Sequence, residues 1–152
     1  MVVLLTRTYH KDDQNLTHKL KLIMSNKKII FVCTSNESRS IALEKYFGEV
    51  YPNNEYRSAG INKFYCEKKG TRLITDDDIE WCDILVFAED VHLKVVKERF
   101  NARTTNIGSI IFSEKHSKEY TVLNCGDYQQ GCIGEDYLTK AEEKIKRIIF
   151  NN

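Results

Sequence analysis

Cys33 and Arg39 stand five residues apart in Val32-Cys33-Thr34-Ser35-Asn36-Glu37-Ser38-Arg39-Ser40. These two residue types at this spacing suit nucleophilic chemistry on a phosphate. A cysteine attacks as thiolate, and a cationic surrounding favours that form. Arginine never loses its charge, and its planar fork can bond two phosphate oxygens at once. The spacing alone is weak: with five cysteines, a chance Cys-x5-Arg is expected in about one such chain in five. What decides is whether local structure brings the two side chains together.

The flanking residues predict such a structure. Ile29-Ile30-Phe31-Val32 has the length and β-branching of a buried strand. Ile41-Ala42-Leu43-Glu44-Lys45-Tyr46-Phe47 is a helix candidate, with Ser40 placed to cap it. Cys33 and Arg39 would then face one another across a turn from strand to helix. Backbone N–H groups in such a turn attract an anion, helped by the helix dipole. The bland alternative is an inert cysteine at a strand end with Arg39 solvated on the helix. The strand before the motif and the helix after it favour the phosphate site.

Composition narrows the remaining classes. The 152 residues make one domain with room for a real core. A net charge of +1 gives no electrostatic case for nucleic acid or an anionic membrane. No apolar run approaches the length of a membrane span. Val2-Val3-Leu4-Leu5 is too short for a signal-peptide core and is followed by Arg7. Five cysteines, an odd number without paired zinc-knuckle spacing, fit reduced thiols in a cytoplasmic compartment.

Along the chain, strand and helix patterns alternate. Residues 1–26 precede the first strand and read as an N-terminal extension. Tyr56-Arg57-Ser58-Ala59-Gly60 is a short strand whose glycine permits close backbone approach. Phe64 and Tyr65 could flank an aromatic substrate, or one of them could pack in the core. Asp76-Asp77-Asp78 could hold a metal, but acids in the first turn of a helix explain them more simply. Ile84-Leu85-Val86-Phe87-Ala88, apolar throughout, reads as a strand buried on both faces. Asp90 to Phe100 reads as a helix with Val91, Val95 and Val96 on one side and His92 on the surface. Thr104–Ile107 and Ile110–Phe112 are expected to supply the fourth strand and its continuation. Ser113–Tyr120 reads as a polar loop with His116 solvated. Ala141 to Phe150 closes the chain as an amphipathic helix, with Ile145, Ile148 and Ile149 inward. The alternation implies an α/β fold: a parallel sheet with helices on both faces and ligands beyond the carboxyl ends of its strands.

The segment from Val32 to Ser40 resembles the phosphate loop of the low-molecular-weight protein tyrosine phosphatases, V-C-x-x-N-x-x-R-S near the N-terminus. Asn36 and Ser40 match positions that a bare Cys-x5-Arg leaves free. Ser58-Ala59-Gly60 and Trp81-Cys82-Asp83-Ile84 resemble further family features. The resemblance implies a three-layer domain over 27–152, with a central four-stranded parallel sheet flanked by helices. It implies a phosphatase acting on phosphotyrosine proteins or small aryl phosphates through a cysteinyl-phosphate. Cys33 would be the nucleophile. Arg39 and the loop of Thr34, Ser35, Asn36, Glu37 and Ser38 would hold the phosphoryl oxygens. Ser40 would stabilise the thiolate, and Asn36 would hold the loop in shape by bonds to its backbone.

The leaving oxygen needs a proton donor. The family places an Asp late in the chain. In Val122-Leu123-Asn124-Cys125-Gly126-Asp127-Tyr128 this implies Asp127 as general acid and Tyr128 as a wall of the cleft. The family's proline is missing there, and Asp136-Tyr137 is the rival pair, better read as the start of the last helix. Ile41 replaces a usual proline, and Ser38 stands where many members carry a second cysteine. Glu37 would oppose phosphate if it pointed inward, so it is expected to point outward. No cofactor or metal is called for, since Arg39 and the loop amides supply the positive field, and a monomer is expected. Cys125 and Cys132 leave a thioredoxin-linked arsenate reductase of the same fold as the runner-up, with Cys66 and Cys82 as packing or surface thiols. A non-catalytic phosphotyrosine binder is the third reading.

Overall fold

The fold is given by a computed structural model that describes residues 26–113, 116–125 and 134–150. Asp127, Tyr128, Cys132 and all but the last residue of the N-terminal extension lie outside the described residues.

Two apolar runs build the centre. β1 (Lys28–Cys33) and β3 (Ile84–Phe87) lie side by side and parallel, with Ile29 opposite Ile84 and Val32 opposite Phe87. Alternation along each strand sends side chains to opposite faces. Ile29, Phe31, Ile84 and Val86 enter one core cluster, while Ile30, Val32, Leu85 and Phe87 enter another. Both faces are covered, which is why these strands are apolar at every position rather than at every second one.

The first cluster is completed by Leu43 and Phe47 of α1 (Arg39–Val50) and by Tyr137, Ala141 and Ile145 of α5 (Glu135–Phe150). Spacings of four bring each set onto one helix face. The second cluster takes Ile79 from α3 (Asp76–Trp81) and Val96 from α4 (Asp90–Arg99). Each fully buried Ile, Leu, Val or Phe contributes about 1.5–3 kcal/mol.

β2 (Glu55–Gly60) pairs with the outer side of β1 and β6 (His116–Val122) with β3, both parallel. The sheet order is β2-β1-β3-β6-β5-β4, in which β5 (Ser109–Ser113) and β4 (Arg103–Thr104) run antiparallel. The parallel part is therefore four-stranded, as expected, and an antiparallel pair extends it to six strands. From β1 the chain winds first to one side, to β2, and then to the other, to β3. The carboxyl end of β1 is thus a topological switch point, where open α/β sheets bind their ligands.

Several expectations are corrected. The fourth parallel strand is β6, most of it in the stretch read as a polar loop, and His116 is its half-buried first residue. Residues 103–104 and 109–113 instead form the antiparallel edge. All but one residue of β6 are half-buried rather than fully buried, so it does not need an apolar run. Val91 is exposed on α4 and Val95 half-buried. Phe64 and Tyr65 are 66% and 46% exposed, so neither packs in the core. They belong to a short helix, α2 (Lys63–Lys69), capped by the Asn62 side chain, which accepts from Tyr65 N at 3.0 Å. The aspartate run is the expected helix start: Thr75 and Asp78 form a reciprocal capping box. Among the described residues, no helix is long and apolar enough to cross a membrane.

Candidate functional site

Cys33 ends β1, and bent backbone from Thr34 to Ser38 carries the chain into α1, whose first residue is Arg39. The strand–turn–helix expected from the sequence is present. Two features make the turn possible. Asn36 has φ +57°, a left-handed conformation that asparagine tolerates better than most residues. Gly60, opposite Cys33 on β2, gives the loop room: a Cβ there would lie 2.7 Å from Thr34 O and 2.7 Å from Cys66 Sγ. That approach lets Ile61 N donate to Cys33 O at 3.0 Å and Asn62 N donate to Thr34 O at 2.9 Å.

The helix cap differs from expectation. Ser38 occupies the N-cap without a side-chain cap bond, and Ser40 lies one residue inside the helix. Its hydroxyl is turned into the loop, where the Cys33 thiol donates to it at 3.0 Å and Asn36 Nδ2 at 2.8 Å. With Asn36 supplying an N–H to the Ser40 oxygen, the serine proton is available for a thiolate when Cys33 ionises. Asn36 Nδ2 also donates to Ser58 Oγ at 3.0 Å, and Asn36 Oδ1 accepts from Arg72 N at 3.2 Å. Its loop-holding bonds therefore run to side chains as well as backbone. Ser58 in turn donates to Glu44 of α1.

A second layer fixes this network from the side of residues 71–78. Thr71 Oγ1 donates to Ser35 O at 2.5 Å, and Arg72 donates to Ser58 O at 2.6 Å and to Asp78 Oδ1 at 2.6 Å. Asp78 is fully buried, also accepts from Arg57 at 3.1 Å, and holds Thr75 N at 3.0 Å. Burial pushes its carboxyl up, but the two guanidiniums and the Thr75 amide outweigh that and hold it below the usual range. The third aspartate of the run is thus an internal anchor rather than a solvated helix-start acid.

On the other side of the loop stand Arg39, Glu89 and His92. Arg39 is buried, and its Nη1 meets the Glu89 carboxylate at the exit of β3. Hydrogen bonding from Arg39 keeps the Glu89 carboxyl below its ordinary value despite some burial. His92 is fully buried, against the expectation of a surface side chain. Its Nδ1 accepts from Glu89 N at 3.0 Å, which leaves Nε2 as the donor to Thr34 Oγ1 at 2.9 Å. Burial, reinforced by Arg39, lowers its pKa to about 4, so the ring is neutral near pH 7.

Glu37 points outward as expected: it is exposed, accepts from Ser35 Oγ at 2.7 Å and meets Lys69 of α2 at 3.5 Å. The Ser35 bond is the main reason its carboxyl stays below the usual value. Asp136 is exposed in the first turn of α5, the helix-start position assigned to it. Leu123 N and Asn124 N donate to Phe87 O and Ala88 O, at 2.8 and 3.0 Å, so residues 123–124 run beside the end of β3. Cys125 is buried and its thiol pushed up by that burial, the reverse of what a reactive resolving cysteine needs. Cys66 and Cys82 are buried packing thiols, with Cys82 raised to about 12 by desolvation. Among the described residues, no group of three or more His, Cys, Asp or Glu is placed to hold a metal.

Sequence reasoning missed Glu89, His92, Thr71, Arg72 and Ser58 as partners of the loop. Ser58 lay inside a recognised motif, Ser58-Ala59-Gly60. For the others no local pattern marks a contact spanning 36 to 58 residues.

No protein-family model and no curated protein matches the chain. Solved structures do. A mutant of YwlE from Bacillus subtilis is 20% identical, with 83% of this chain and 97% of that one covered and a TM-score of 0.52. Wzb from Vibrio vulnificus, in complex with benzylphosphonate, is 15% identical over 82% of this chain and 95% of its own, at 0.52. A cysteine-to-serine mutant of the YwlE arginine phosphatase, with a phosphorylated active-site serine, is 19% identical over 82% and 93%, at 0.50. At such identities the likeness is one of fold. The chain has the fold of the low-molecular-weight protein tyrosine phosphatases.

Proposed function

We propose that this chain is a phosphatase that hydrolyses phosphotyrosine and small aryl phosphates through a cysteinyl-phosphate on Cys33. The observation that carries the reading is the Cys33–Ser40–Asn36 chain of hydrogen bonds at the carboxyl end of β1, with Arg39 beside it. The phosphatase fold of the neighbours supports it, as does the benzylphosphonate bound by one of them. In the first step the thiolate attacks phosphorus, the phosphorus–oxygen bond to the leaving group breaks, and that oxygen takes a proton from Asp127. Arg39 and the amides of Thr34 to Arg39 hold the equatorial oxygens, where charge is spread in the transition state. In the second step Asp127, now a carboxylate, takes a proton from water as its oxygen attacks phosphorus. The sulfur–phosphorus bond breaks, and phosphate and thiolate are released. Ser40 steadies the thiolate in both steps, and Tyr128 walls the cleft. The domain spans 27–152 and works in the cytoplasm.

The neighbouring arginine phosphatase favours a second substrate, phosphoarginine, on the same machinery. The test is hydrolysis of p-nitrophenyl phosphate without added metal by wild type, Cys33→Ser and Asp127→Ala, followed by matched phosphotyrosine and phosphoarginine peptides. Cys33→Ser should be inactive while folded, and Asp127→Ala slower by about 10²–10⁴-fold. Full turnover by Cys33→Ser would end the reading. An unchanged Asp127→Ala would move the acid to another residue, Asp136 first. Faster turnover of phosphoarginine than phosphotyrosine would replace the substrate and keep the mechanism.

A further inference from the structure

Tyr137 stands in the first turn of α5, only 5% exposed, with its ring in the cluster of Ile29, Phe31, Leu43, Leu123 and Cys125. Its hydroxyl is buried and has no hydrogen-bond partner among the described residues. The other phenols packed on the same cluster are all satisfied. Tyr46 and Tyr51 both donate to Glu142, and Tyr56 donates to Tyr51 O at 2.9 Å. A phenylalanine would fill the Tyr137 site as well and would leave no orphaned oxygen. A buried polar group without a partner calls for an explanation, and a partner that arrives with a ligand is one.

The surroundings say which ligand. Tyr137 shares its cluster with Leu43, three residues past Ser40 on α1, and with Leu123 and Cys125, which follow β6 at the end of the sheet that holds the loop. Arg39, Cys33 and Glu89 are near enough to act on its hydroxyl. Burial raises its pKa, so it stays protonated and can donate. We propose that Tyr137 is a further residue of the phosphate site, its hydroxyl donating a hydrogen bond to the tetrahedral oxyanion that Cys33, Arg39 and the loop amides receive. The proposal rests on the phosphatase reading and deepens it: the cradle closes over the anion from α5 as well as from the loop.

Tyr137→Phe removes one oxygen and leaves the ring. Affinity for inorganic phosphate and for vanadate, measured by titration calorimetry, should weaken about tenfold. The Tm of the ligand-free variant should stay the same or rise, because a buried unpaired hydroxyl has gone. Loss of affinity with retained or raised Tm is a pattern that a merely structural tyrosine does not produce. A Tyr137→Phe protein that binds both anions as wild type does, or that only loses stability, overturns the proposal while the phosphatase reading stands. Wild type that binds neither anion and turns over no phosphate ester overturns both.

Discussion

The loop from Thr34 to Ser38 is held from two sides, and the two are built differently. On the side of Ser58 and Arg72 every polar group is closed on another: Asn36 on Ser40 and Ser58, Thr71 on the Ser35 carbonyl, Arg72 on Asp78. On the side of Glu89 and His92 the closure is less complete. Arg39 leans on a half-exposed carboxylate, neutral His92 reaches Thr34, and the Tyr137 hydroxyl has no partner among the described residues. The first side determines shape before any ligand arrives. The second holds groups that a phosphate would draw into new pairings. A polar network that is fully satisfied rigidifies, and on the second side the Tyr137 hydroxyl keeps an unused hydrogen bond.

Four substitutions would break or sharpen that contrast. The largest effect belongs to Arg39→Lys, which keeps the charge and loses the fork. The rate with p-nitrophenyl phosphate should fall about 10²–10³-fold while thermal melting moves little. Equal losses of rate and stability would put Arg39 with the shape-holding groups.

His92 comes next, through pH. Its folded pKa of about 4 lies below the ordinary 6.5, so between those values the unfolded chain takes up a proton that the folded chain refuses. Stability is full above about pH 6.5 and is lost as pH falls toward 4. At pH 5 the loss is on the order of 2 kcal/mol relative to pH 8. Urea unfolding at both pH values, in wild type and His92→Asn, isolates the difference. The same pH slope in both proteins would show that His92 is not the group concerned.

Asn36→Ala removes three hydrogen bonds and puts alanine at a left-handed φ. It should cost about 2 kcal/mol in chemical unfolding. A variant as stable as wild type would mean that the closed side does not hold the loop. The smallest effect is expected of Glu89→Gln. Without the carboxylate Arg39 meets phosphate with no rival but also with less guidance, so KM and kcat should both drop, each about three- to tenfold. A raised KM would assign Glu89 to substrate binding instead.

The parts legible in the sequence were those whose signals are local. β1 and β3 announce themselves as apolar runs, α1 and α5 by spacings of four, and the loop by Cys33, Asn36, Arg39 and Ser40 within eight residues. β6 was hidden because a half-covered strand can carry His116, Ser117, Lys118 and Glu119. His92 was hidden for a different reason. A histidine three residues past Glu89 looks like any helix-start side chain, and only the close packing of α4 on the loop puts it against Thr34. Arg72 and Asp78 likewise read as surface charges until the fold brings them to Ser58 and Asn36.

The central claim is a covalent bond between phosphorus and Cys33. Acid-quenching the enzyme with a phosphorus-labelled aryl phosphate, then mapping the label by peptide digestion, tests it directly. Label on the peptide that contains Cys33, absent from Cys33→Ser, is the predicted result. Turnover without label on Cys33, or label carried by another residue, would contradict it.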